Sequence, residues 1–196
     1  LTIPATLGLI LLGRPLLGLL YERGAFDAAA GDAVYVALRW YALGLVGHSC
    51  LELVARAFFA QKDTVRPLAI AAVWSTVSIA LGTLLMPRMG HGGLALTNSL
   101  AITGEVLTLL LVLRRRWRGV GGRDLVSPLA RIAGATAVMG IAVAAVMALV
   151  SRAGLGPLAS VVGGALAGVA TYLAAGAALR LEELHWSLQL IRRARG

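Results

Sequence analysis

Cysteine is almost absent from this chain. Cys50 stands alone inside an apolar run, so no intramolecular disulfide can form. His48, His91 and His185 are isolated, and no Cys/His grouping has the spacing of a metal site. Charged residues make up only 14% of the 196, against 59% hydrophobic, and the mean hydropathy is +0.84. That balance excludes a soluble domain of this size. Polar/apolar alternation is missing as well, and Gly and Ala are abundant, which excludes membrane strands. No nucleophile–base pair, phosphate-cradling glycine loop or metal-ligand pattern stands out, so neither an enzyme nor a bound cofactor is expected. The chain also opens without an initiator Met, a basic leader or a small-residue cleavage site. Leu1–Leu20 is therefore not read as a signal peptide, and the sequence reads as a piece of a longer polypeptide.

What the chain has is continuous apolar runs: Leu1–Leu20, Ala33–Ala60, Leu68–Met86, Leu94–Leu113, Ile132–Val150 and Leu158–Leu179. Each has about the 20 residues needed to cross a ~30 Å hydrocarbon core at ~1.5 Å per residue. Lipid requires backbone groups to be paired within the segment, so the fold class expected is all-α: a polytopic bundle of six transmembrane helices.

The formal charge of +9 is explained by where the 18 basic residues fall. Most lie in Gln61–Pro67, in Arg114–Arg131 and in the tail from Arg180, while the alternate gaps hold Arg23, Arg88 and Arg152. Positive loops stay cytoplasmic, so the C-terminus is expected in the cytoplasm. The cluster Arg114, Arg115, Arg116 and Arg118 then meets anionic headgroups of membrane lipids. A nucleic-acid partner is not expected, because Trp117 alone supplies no aromatic platform or groove-reading element. In the tail, Leu181, Leu184, Leu188 and Ile191 with Arg192, Arg193 and Arg195 form the pattern of an amphipathic helix lying on the cytoplasmic leaflet.

Inside the runs a few polar groups stand out. Glu52 and Arg56 are spaced i, i+4 with the acid first, the favourable order on a helix, and His48 is one turn back on the same face. They are read either as a self-neutralised pair near the interface, with Arg56 snorkelling to phosphates, or as a stripe along a substrate cavity. Glu105, mid-run beside Thr103 and Thr108, is either a cavity or coupling group or an interhelical hydrogen-bond partner. Arg14, beside Pro15, is expected to reach headgroups. Asp63 and Thr64 are expected to cap the following helix. Small residues repeat every fourth position at Gly140, Ala144 and Ala148, and at Ser160, Gly164 and Gly168. Such faces suit close helix packing or, more sharply, a groove for an isoprenoid chain.

The segment Arg56–Pro67, RAFFAQKDTVRP, carries the most specific pattern. Arg56 closes an apolar run, Phe58 and Phe59 read as aromatics at interface depth, Gln61–Thr64 form a polar turn, and Pro67 suits the first turn of the next helix. Arg56, Phe58, Phe59, Asp63 and Pro67 in this order resemble a recurrent motif of the MurJ/MviN family of lipid II flippases. Pro4 and Gly8 followed by Arg23, Gly24 and Phe26, the Tyr41–Leu45 segment and the glycine turn in Met86–Gly93 are similar to that family too. Specific residues carry the resemblance from Leu1 to about Leu113, and topology alone carries it beyond.

The resemblance implies the last six of fourteen helices in a two-lobed flippase fold of the multidrug/oligosaccharidyl-lipid/polysaccharide exporter superfamily. Residues 1–113 correspond to the latter part of the second lobe, and 114–131 to a basic cytoplasmic loop. Two additional C-terminal helices follow at 132–179, then a basic cytoplasmic tail at 180–196. In the family those two helices help form a groove for the polyprenyl tail. The implied setting is the bacterial cytoplasmic membrane, with a lipid-linked cell-wall precursor and the N-terminal part of the same transporter as partners. The family's headgroup-binding residues lie mainly in earlier helices, so none is carried over. The substrate-cavity candidates remain His48, Glu52, Arg56 and Glu105. Other exporters of the superfamily, a membrane transferase and a non-transporting scaffold are the alternatives.

Overall fold

The computed structural model describes residues 1–21, 28–116 and 122–179, and every regular element among them is an α-helix. The order is α1 Thr2–Tyr21, α2 Ala28–Ala60, α3 Val65–Met89, α4 His91–Arg116, α5 Gly122–Arg152 and α6 Pro157–Ala178. Each contains a stretch long and apolar enough to cross a membrane, so the all-α polytopic reading holds. Arg23, Gly24 and Phe26, and the tail from Arg180, lie outside the described residues.

The helices outrun the apolar runs that marked them. Helix α5 begins at Gly122, so much of the stretch 114–131 is helical rather than loop. A hydropathy reading stops at the last apolar side chain. A helix continues for as long as its backbone bonds are made, and basic residues suit its extension at the membrane surface. Helix α2 has 33 residues, a rise of ~50 Å against a ~30 Å hydrocarbon core, so it tilts or projects beyond it.

The chain divides into two compact units: α1 with α5 and α6, and α2 with α3 and α4. Helix α1 thus groups with the two C-terminal helices.

Helix α4 is the spine of the second unit. Its Ser99 hydroxyl donates to the Trp40 carbonyl on α2 (2.5 Å), where Gly44 leaves room: a Cβ there would meet Ser99 Oγ at 2.6 Å. On its other side the Trp74 ring of α3 lies over Gly104, where an added Cβ would come within 2.2 Å of the indole. The Trp74 indole N–H donates to Thr108 Oγ1 at 3.1 Å, and Thr108 donates to the Gly104 carbonyl at 2.7 Å. Between apolar helices in lipid, close approach and a few interhelical hydrogen bonds supply the association that the hydrophobic effect supplies in water. Phe58 and Leu109, both fully buried, fill the core near the ends of α2 and α4 with Val54. Phe58 is thus a core residue, whereas Phe59 is half-exposed.

In the first unit, Ala135, Met139, Val143 and Tyr172 form the buried cluster, with Leu7, Leu11 and Leu12 of α1 packed against it. The small-residue faces contribute unequally. Gly164 and Gly168 are buried on α6, along with Tyr172 and Gly176. On α5, Gly140 receives Leu7, but Ala144 and Ala148 are exposed. The buried line of α5 is Ala135–Met139–Val143, one position off the expected stripe, because the larger side chains fill the space beside the α6 glycines. Outward positions such as Leu68 and Ile141 are 72% and 71% exposed, a surface suited to acyl chains.

Candidate functional site

The turn joining α2 to α3 holds the residues of the most specific motif. Helix α2 closes with Lys62 donating to the Phe59 carbonyl (2.9 Å) and Asp63 donating to the Phe58 carbonyl (3.1 Å). This is the paired bond pattern that ends a helix on a left-handed residue, here Lys62 at φ 59°. Thr64 occupies the N-cap of α3 without a side-chain capping bond. Asp63 takes that role: its Oδ1 accepts from the Arg66 backbone N–H at 3.4 Å, and its Oδ2 from the Arg66 guanidinium at 2.8 Å. Pro67 lies in the first turn, buried, where its missing N–H costs nothing. The motif therefore builds a tight polar turn with an ion pair inside it.

On α2, His48, Glu52 and Arg56 are all exposed and, at i, i+4 and i+8, share one face of the helix. Arg56 donates to Glu52, and these side chains are 70% and 65% exposed within the chain. Glu105 of α4 is partly buried and lies two residues along the helix from Thr103, at the α2–α4 seam. That seam is tight: a Cβ on Gly47 would meet Ile102 Cγ2 at 2.9 Å and Thr103 Oγ1 at 3.6 Å. Of the four candidate residues the structure joins two, Glu52 and Arg56, as an i, i+4 ion pair. Thr103 and Thr108 are satisfied by carbonyls of their own helix, so they are not ligands waiting for a partner. Among the described residues no group of three or more His, Cys, Asp or Glu could hold a metal ion.

The first unit carries a site of opposite character. A cavity of about 340 Å³ lies between α1, α5 and α6, walled by apolar side chains and bare glycine backbone, among them Gly8, Leu12, Val143, Gly168 and Val169. Gly8 has open space where a Cβ would stand, so its missing side chain is part of the cavity. On α6 the lining includes Gly164 and Gly168 of the small-residue repeat, whereas on α5 it is Met139 and Val143 rather than Gly140, Ala144 or Ala148. On α1 the sequence singled out Pro4 and Gly8 only for their resemblance to the family, with nothing to say that they face α5 and α6; both line this cavity.

A family model described as Lipid II flippase MurJ matches residues 1–162, beyond the region carried by specific motifs and into α6. The probable lipid II flippase MurJ of Rhizobium meliloti is 34% identical over 144 residues, which is 72% of this chain and 26% of that protein. The lipid II flippase MurJ of Burkholderia cenocepacia is 34% identical over 113 residues, 58% of this chain and 22% of its own. The probable lipid II flippase MurJ of Thermotoga maritima is 32% identical over 111 residues, 57% and 24% of the two chains. The chain spans about a quarter of the length of the curated relatives it matches. With the match covering most of its length, through five membrane helices and into the start of the sixth, this chain belongs to the lipid II flippase MurJ family.

Proposed function

We propose that the chain serves as the C-terminal portion of a flippase that moves a lipid-linked peptidoglycan precursor from the cytoplasmic to the outer leaflet of the bacterial inner membrane. An N-terminal part of the same transporter supplies the opposing lobe, and alternating access carries the polar headgroup across while the tail stays in lipid. The observation that carries this reading is the exposed stripe His48–Glu52–Arg56 on a membrane helix of a family-matched chain. Ionised side chains facing acyl chains cost ~2.5–3.5 kcal/mol each on insertion scales, so such a face belongs against a water-filled path or another polar surface. Arg56 can exchange Glu52 for a phosphate oxygen, keeping a charge-assisted bond throughout. The α1/α5/α6 cavity suits the isoprenoid tail. The basic segments 61–67, 114–131 and the tail from Arg180 sit on the cytoplasmic side, with the C-terminus.

The test is a chimera in which residues 1–162 replace the matched segment of the Rhizobium meliloti protein in a flippase-depleted strain. Growth rescue is expected from the chimera. At equal protein level, Glu52→Gln and the swap Glu52→Arg with Arg56→Glu should abolish it. Full rescue by both variants would reduce the pair to self-neutralisation and overturn its place on the headgroup path.

A further inference from the structure

We propose that Lys62, Arg66, Arg114 and Arg115 form one binding site for the phosphate group of a membrane lipid, at the end of the second unit where α2 turns into α3. Three segments have to meet for this, and packing brings them together. The apolar spans close at Ala60 on α2, open at Val65 on α3 and close at Arg115 on α4. All four basic residues therefore lie at the edge of a span. Just inside that edge Phe58 of α2 and Leu109 of α4 are fully buried. Ile70 of α3 and Leu113 of α4 pack against the same cluster. Ile70 is one turn inward of Arg66, and Leu113 immediately precedes Arg114. The cluster thus fixes the polar turn and the basic end of α4 at one level.

Charge at this end is unbalanced. Asp63 is the one acidic residue in 57–70 and 109–116, and it already accepts from the Arg66 guanidinium at 2.8 Å. It is the inner member of that pair, 16% exposed against 47% for Arg66. A guanidinium has five N–H donors, so Arg66 keeps donors to spare on its open side. Lys62, Arg114 and Arg115 are exposed and form no ion pair with another described residue. Beside them a polar cleft of about 470 Å³ opens along Gln61–Arg66. A phosphate oxygen accepts charge-assisted hydrogen bonds from ammonium and guanidinium alike, which suits it to cations drawn from two chain segments.

The surroundings say that the phosphate arrives on a lipid. Val65, which lines the cleft, is 73% exposed, and Leu68, one turn on, is 72% exposed. Phe59 and Leu111 are half-exposed on the neighbouring helices. A free anion has no use for this apolar border, whereas an acyl or polyprenyl chain does. Two lipids carry the chemistry: a bilayer phospholipid with its phosphodiester, and a lipid-linked precursor with its diphosphate. The site shares no residue with the His48–Glu52–Arg56 stripe, so it stands or falls separately from the transport reading.

The test counts lipids that stay on the whole 196-residue chain when it is released from nanodiscs into native mass spectrometry. One set of discs holds phosphatidylcholine with phosphatidylglycerol, the other phosphatidylcholine with a polyprenyl diphosphate. One anionic lipid per chain is expected to remain, undisplaced by excess inorganic phosphate. Lys62→Ala with Arg114→Ala should lower its retention about tenfold or more. Arg88→Ala with Arg152→Ala removes the same charge in the last turns of α3 and α5 and should leave retention unchanged. Retention in one set only assigns the site to that lipid; retention in both assigns it to lipid phosphate in general. Equal losses in the two double variants would overturn the proposal, as would retention no greater than that of phosphatidylcholine in both sets. Should the Lys62/Arg114 variant fail to fold, a photoreactive group beside the lipid phosphate decides on the unsubstituted chain. Labelling is expected within 61–66 and at 114–115, and labelling confined to other segments would overturn the site.

Discussion

Whether a glycine in these helices can be replaced depends on what lies across from it. Gly104 faces the rigid indole of Trp74, with three ring atoms within 2.5 Å of a Cβ position. Gly164 faces the tip of Leu12, at 2.5 Å from one methyl, and Leu12 borders the open cavity. A flexible tip can swing into free space, whereas a ring held by its own hydrogen bond to Thr108 cannot. Gly104→Ala should therefore cost about 1–3 kcal/mol, the usual range for overpacking, and Gly164→Ala well under that. Unfolding of the chain in mixed micelles compares them directly, and equal losses would refute the distinction. None of this was legible in the sequence. Gly104 lies within no small-residue repeat, and Trp74 reaches it from 30 residues away in the chain, so periodicity along one helix gave no hint. The i, i+4 pair Glu52–Arg56 was legible, because its geometry is local and any α-helix brings the two side chains together.

Single elements were read more fully than contacts. All six spans were visible because a membrane helix needs a continuous apolar run, a signal that depends on no neighbour. Their ends were less visible, as α5 shows by starting at Gly122, and their partners were not visible at all. The grouping of α1 with α5 and α6 depends on Leu7 and Leu12 meeting Gly140 and Gly164, pairings between distant parts of the chain. That grouping makes the cavity testable. Gly8→Phe places a ring in open space, so the helices should keep their stability while the cavity closes. A lipid-linked precursor with a photoreactive group in its tail should label α1 and α6 of the unsubstituted chain and lose about tenfold in Gly8→Phe, an effect of ~1.4 kcal/mol in occupancy. Undiminished labelling would place the tail elsewhere. Orientation has its own test: cysteines introduced at Lys62 and at Arg115 should be shielded from impermeant reagents in intact cells. Labelling at Arg115 from outside would reverse the topology.

At the scale of the whole molecule, the chain divides its chemistry between two units. One carries ionisable groups on apolar helices; the other carries a cavity without charge. A substrate with an anionic head and a long apolar tail needs both kinds of surface, and a small soluble substrate would need only the first. Rocking transport also needs a second lobe across the proposed headgroup path, and the described residues supply six spans. The most direct measurement is translocation of fluorescent lipid II in reconstituted vesicles, comparing the 196-residue chain, the chimera with residues 1–162 in the Rhizobium meliloti protein, and protein-free vesicles. The chimera should translocate above the protein-free background while the chain alone stays at it. A chimera that inserts normally yet remains at background, beside an active parent, would contradict the account, as would translocation by the chain on its own.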